Sequence, residues 1–184
     1  MIRLIGTVLL SIVLCSPALA ATVHKCPAPK GMLSTNHTDE RVRAAFARVI
    51  AQSQLKGSFA LCVHPHYFPA AARIIFNDHR PSIIVVSVPR YVSHYSDDAL
   101  DGMFGHEISH AAGLISPLIS LANEKLADAQ GRDWVGTAKM IAFLNATKQS
   151  LNRIPVRLRA AARNEIAVRM TALLDPILAT DSRT

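Results

Sequence analysis

The chain has 184 residues, 50% of them hydrophobic and 5% aromatic, with 20 Lys and Arg against 13 Asp and Glu for a net charge of +7. That length suits one domain with a substantial core. Few aromatics and an export-like N-terminus argue against a nucleic-acid partner. A peripheral attraction to anionic membrane surfaces is the other use for the basic charge.

Residues 1–20 hold one basic residue, Arg3, an apolar run from Leu4 to Leu14, Pro17, and small side chains at Ala18 and Ala20. This is the pattern of a signal peptide cleaved between Ala20 and Ala21. The apolar run is short of the roughly 20 residues a membrane span requires. A lipoprotein signal through Cys15 is disfavoured by Leu14, where such signals want Gly or Ala. The expected product is one exported domain, residues 21–184, periplasmic or secreted. It has 164 residues and 19 Lys and Arg against 13 Asp and Glu, a net charge of +6. The stretch Ala111 to Ala122 is the nearest to a later span, but it is short and carries Pro117. Cys26 and Cys62 remain after processing, and an even count in an exported chain predicts a disulfide between them.

Residues 21–35, with Pro27, Pro29 and Gly31, read as an extended lead-in. Thr38 is the expected N-cap of a helix running to about Gln54, with Asp39 and Glu40 in the first turn and Val42, Ala45, Phe46, Val49 and Ile50 on its apolar face. Three β-rich runs follow: Ser58 to Val63, Ala72 to Phe76, and Ser82 to Val88. A small, mostly antiparallel sheet is the economical arrangement. Ser96, followed by Asp97 and Asp98, predicts a second N-cap. Leu100, Met103, Phe104, Ile108 and Ala111 then make one apolar face ending at Gly113. Further helices are expected over 118–134, 136–151 and 156–178, the last two separated by Pro155. The fold class is α+β.

The helix from Ser96 contains Gly105-His106-Glu107-Ile108-Ser109-His110. Histidines four apart project from one helical face, so both imidazoles reach one ion. The glutamate between them can accept a proton from water on that ion, which is the short zinc-peptidase signature. A catalytic zinc takes three protein ligands and keeps one open position. One class supplies a third histidine six residues after the second, but position 116 is Ser. The other source is a glutamate from the next helix, where Glu124 and Asp128 stand four apart. Glu124 is then the third ligand, and Asp128 accepts a hydrogen bond from the far nitrogen of a ligating histidine. The expected cofactor is one Zn2+ per chain.

The pair His106-Glu107-Ile108-Ser109-His110 and Glu124-Lys125-Leu126-Ala127-Asp128-Ala129-Gln130-Gly131 resembles the glutamate-zincin metallopeptidases of the HtpX and CAAX prenyl protease family. The resemblance covers roughly residues 40–135. It implies a zincin-like fold, a compact exported form, His106, His110 and Glu124 as ligands, and Glu107 as general base in hydrolysis of a peptide or protein substrate. In related zincins an edge strand pairs with the substrate backbone, and Ser82, Ile83, Ile84, Val85 and Val86 are the expected strand here.

Arg132, Arg163 and Asn164 are candidate oxyanion donors. His64, His66, His79 and His94 read as surface or loop histidines, and Asp78 with His79 could line a cleft. Arg153, Arg157, Arg159, Arg163 and Arg169 read as a solvated face. Two other readings compete with the peptidase: a zinc-binding chaperone without activity, against which Glu107 argues, and a structural domain with an accidental motif.

Overall fold

A computed structural model describes residues 21–26, 35–36, 39–64, 71–77, 80–114 and 120–175. The expected signal segment, Thr38, His66, Asp78 and His79 lie outside the described residues.

The order of elements is β1 (Thr22–His24), β2 (Thr35–Asn36), α1 (Glu40–Ser53), β3 (Ser58–His64), β4 (Ala71–Asn77), β5 (Arg80–Pro89), α2 (Asp97–Ser109), α3 (Leu121–Val135), α4 (Thr137–Ser150) and α5 (Val156–Leu174). The α+β class follows directly. No helix of the described residues is long and apolar enough to cross a membrane.

The sheet corrects the antiparallel expectation. Its order is β1-β3-β5-β4, with β2 also on β3. β1 runs parallel to β3 and β3 parallel to β5, whereas β2 and β4 pair antiparallel. Parallel neighbours need a long crossover. Between β1 and β3 that crossover includes α1. Between β3 and β5 the chain first travels to the far edge as β4 and returns into the middle. The start of the extended lead-in supplies β1.

Side chains alternate across the sheet as a two-residue period requires. Phe59, Leu61, Val86 and Val88 join the main core under the helices. Ala60, Cys62 and Val85 form a smaller cluster on the other face, packed with Cys26. There Cys26 and Cys62 form the predicted disulfide, with Cα atoms 5.3 Å apart and a separation of 36 residues. Closing a loop of that size stabilises by about 3–4 kcal/mol in the chain-entropy account. Reduction should therefore lower the urea midpoint of unfolding, and an unmoved midpoint would contradict this role.

The first three helices, α1 to α3, are capped by short polar side chains. In α1 the cap is Asp39, one residue after the expected position, and its Oδ1 accepts from Arg41 and Val42 N–H at 2.9 and 3.3 Å. Gln54 closes α1 in the left-handed region at φ 54°. Ser96 caps α2 through Ala99 N–H, and Ser120 caps α3 through Asn123 N–H. α3 thus begins at Leu121, later than expected, and α5 leaves the helix at Asp175 instead of continuing to 178.

α2 is the centre of the molecule. Instead of one apolar face, every residue from Ala99 to Ser109 is buried. α1, α3 and α4 surround it, with Phe46 of α1 against Phe104 at 5.2 Å between ring centres. The polar Asp101 is 2% exposed and accepts from Arg48 of α1 and from Lys139 of α4, the latter at 2.7 Å. A buried carboxylate held by two cations ties three helices together.

Candidate metal centre

α2 ends at Ser109 and the chain continues as a π-helical turn, His110–Leu114. His106 and His110 therefore straddle the junction. α3 lies across this part of α2 because Gly131 removes the obstacle. A Cβ there would stand 3.0 Å from Gly105 C, 3.0 Å from Met140 Sδ and 3.1 Å from His106 N. Gly131, Asp128 and Glu124 share one helical face at spacings of three and four. The same contact that needs glycine brings both carboxylates to the histidines.

His106 Nε2 and His110 Nε2 are 3.2 Å apart. Glu124 Oε2 is 3.2 Å from His106 Nε2, and Glu124 Oε1 is 3.4 Å from His110 Nε2. These three residues form a group that could hold a metal ion. The spacing can be tested against zinc. Tetrahedral donors about 2.0–2.1 Å from zinc stand about 3.3 Å from one another. The three separations match that edge length, and two imidazoles with one carboxylate are a donor set that zinc accepts. The residues fit the ion.

The outer contacts fix the histidine. His106 Nδ1 is 2.9 Å from Asp128 Oδ1. An ionised carboxylate only accepts, so Nδ1 carries the proton and Nε2 faces the centre. Arg169 Nη2 also stands 3.2 Å from His106 Nδ1. Both groups donate to Asp128 Oδ1, so their proximity follows from a shared acceptor. Phe143 of α4 backs the ring at 5.4 Å.

The electrostatics follow from this geometry. Burial works to lower the His106 pKa, but hydrogen bonds to Asp128 and Glu124 outweigh it and raise the metal-free ring to about 9. Burial works to raise Glu124, yet its contacts with His106 and His110 bring it well below the carboxylate range. Asp128 is likewise opposed by burial and lowered by Arg169 and His106. Glu107 behaves oppositely. Burial raises it above an ordinary glutamate, only partly countered by His106 and His110. It is 7% exposed, and among the described residues its carboxylate makes no side-chain hydrogen bond, while its backbone carbonyl accepts from His110 N–H. A buried carboxylate with a raised pKa beside a candidate metal group is suited to accept and return a proton.

Other expected residues fall elsewhere. β5 is paired on both sides over Ile83–Ser87, by β3 and by β4, so Ile83, Ile84, Val85 and Val86 offer no free edge. Ser82 lies in the same central strand. The edge on this side is β4, which comes against the turn that carries His110. Arg132 pairs with its neighbour Asp133 at 3.3 Å, while Arg163 and Asn164 are exposed on α5. His94 is exposed as expected.

Among the five arginines, Arg153, Arg157 and Arg163 are exposed, and Arg159 is partly covered and caps Asn152 and Ile154 carbonyls. Arg169 breaks the solvated-face expectation, because it is 6% exposed and bound to Asp128 and Glu124. Its signal was positional: Arg169 lies three residues after Ile166 and four before Leu173, and these three are the buried residues of α5.

Comparison with protein-family models, curated proteins and solved structures returned no match for this chain.

Proposed function

We propose that this chain is a zinc-dependent endopeptidase of zincin-like fold, akin to the HtpX and CAAX prenyl protease family, working in the cell envelope or outside the cell. The observation that carries the reading is the His106–His110–Glu124 cluster at zinc-ligand separations, with a buried Glu107 in the same helix. Bound zinc would supply a Lewis acid and a water acidified to a pKa of about 7. Glu107 takes a proton from the attacking water and delivers it to the leaving amine. Asp128 holds the His106 ring in the tautomer that presents Nε2.

Substrate enters as an added strand on β4, the edge next to the His110 turn, in place of the central β5. The disulfide is consistent with an oxidising compartment, and supports export by removal of residues 1–20. Glu107 favours catalysis over a purely binding role, since a zinc-binding chaperone has no use for a proton acceptor there. An unfolded protein such as casein tests the activity. Cleavage should stop with a zinc chelator and return on adding zinc in excess; cleavage indifferent to the chelator would refute the mechanism.

A further inference from the structure

Arg169 reaches the centre from α5, far along the chain from either motif. Its guanidinium donates Nε–H to Asp128 Oδ2 at 2.7 Å, Nη2–H to Asp128 Oδ1 at 2.7 Å, and Nη1–H to Glu124 Oε2 at 2.9 Å. Its side chain is 7% exposed, and Glu165 approaches Nη1 only at 3.8 Å from the exposed side of α5. One planar group thus binds both carboxylates of α3.

We infer that Arg169 is the positioning residue of the metal centre: it fixes the orientation of the ligand Glu124 and of Asp128, and through Asp128 that of His106. The inference rests on the metallopeptidase reading and deepens it. The fork on Asp128 fixes the plane of that carboxylate, so Oδ1 lies where His106 Nδ1–H meets it. The third donor occupies Glu124 Oε2, and leaves Oε1 directed to His110. Without a cation between them, the buried Asp128 and the partly buried Glu124, one helical turn apart, would repel and turn away. Lysine would keep the charge but not the planar fork that spans two acceptors. Because Ile166 and Leu173 flank Arg169 on the buried face of α5, seating that helix and shaping the centre are one event.

The test is zinc affinity by chelator competition, with the visible spectrum of the cobalt-substituted protein as a reporter of ligand geometry. Arg169→Met alone leaves Asp128 buried and uncompensated, a cost that puts the fold itself at risk. The comparison is therefore Asp128→Asn against the double variant Asp128→Asn/Arg169→Met, in which the charge is removed with its partner. Arg169→Lys is the conservative variant. Circular dichroism establishes that each is folded. Removing Arg169 from the Asp128→Asn background should weaken zinc binding by about 10–100-fold, the usual effect of losing an outer-shell partner, and alter the cobalt bands. Arg169→Lys should fold, bind zinc about tenfold more weakly than wild type and shift the same bands. Folded variants with unchanged affinity and spectrum would overturn the positioning role while leaving the wild-type metal site intact. A wild-type protein that takes up neither zinc nor cobalt would instead overturn the metallopeptidase reading, and the positioning role with it.

Discussion

Glu107→Gln should leave a folded, zinc-loaded protein whose peptide hydrolysis is slower by about 10²–10⁴-fold, the range for loss of a general acid–base. The substitution keeps the shape of the side chain while removing its charge and its ability to carry a proton. Its structural cost should be small. The Glu107 carboxylate makes no side-chain hydrogen bond among the described residues, and burial already disfavours its charge. A neutral amide avoids that penalty, so the thermal midpoint should stay level or rise slightly. The measurements are kcat on a cleavable peptide, zinc content and thermal melting on one preparation. Activity that survives the substitution with zinc in place would remove Glu107 from the mechanism. Loss of zinc together with activity would show instead that the side chain supports the site.

Gly102→Ala should be among the most damaging single substitutions in the chain. A Cβ there would fall 2.2 Å from Lys139 O and 2.8 Å from both Lys139 C and Phe143 Cβ. Two of those atoms are backbone of α4 and cannot swing aside, so α4 must move away from α2. That motion separates Lys139 Nζ from Asp101, a carboxylate buried at 2% exposure, and draws Phe143 back from the His106 ring. Overpacking costs about 1–3 kcal/mol, and the backbone clash puts this case at about 3 kcal/mol or above. Urea unfolding should show the lower midpoint. Zinc affinity should fall as well, because His106 loses its backing. A midpoint equal to wild type would mean that α2 and α4 lie farther apart than described.

Gly102 also marks where reading the sequence stopped short. Leu100, Met103, Phe104 and Ile108 have the spacing of one apolar face, and they are core residues. The opposite side carries Asp101, Gly102 and Gly105, which local patterning assigns to solvent. They are buried because α3 and α4 approach the glycines closely enough to exclude water. Helix packing of that kind depends on residues dozens of positions away. The same limit applies to the sheet. Its strands were visible as β-branched runs, but the insertion of β5 between β3 and β4 is a non-local choice. The edge assignment of Ser82 to Val86 failed with it.

The centre itself was more legible. His106, His110, Glu124 and Asp128 converge because four-residue spacings on two helices are local geometry. Gly131 stands in the same segment and serves the crossing. Arg169 reads as solvated because its helix is mostly exposed, with Val156, Leu158 and Leu174 in solvent, so its buried face has little apolar signal. An arginine centred between two buried aliphatic residues was the available clue.

The central claim is a metal centre formed by His106, His110 and Glu124, and the most direct test is elemental analysis of the purified protein. After dialysis against metal-free buffer, the protein should retain about one zinc per chain, held by two histidines and one glutamate. Substituting His110 with Ala should abolish it. Protein that carries no zinc, and takes none up when zinc is returned to the folded chain, would contradict the account.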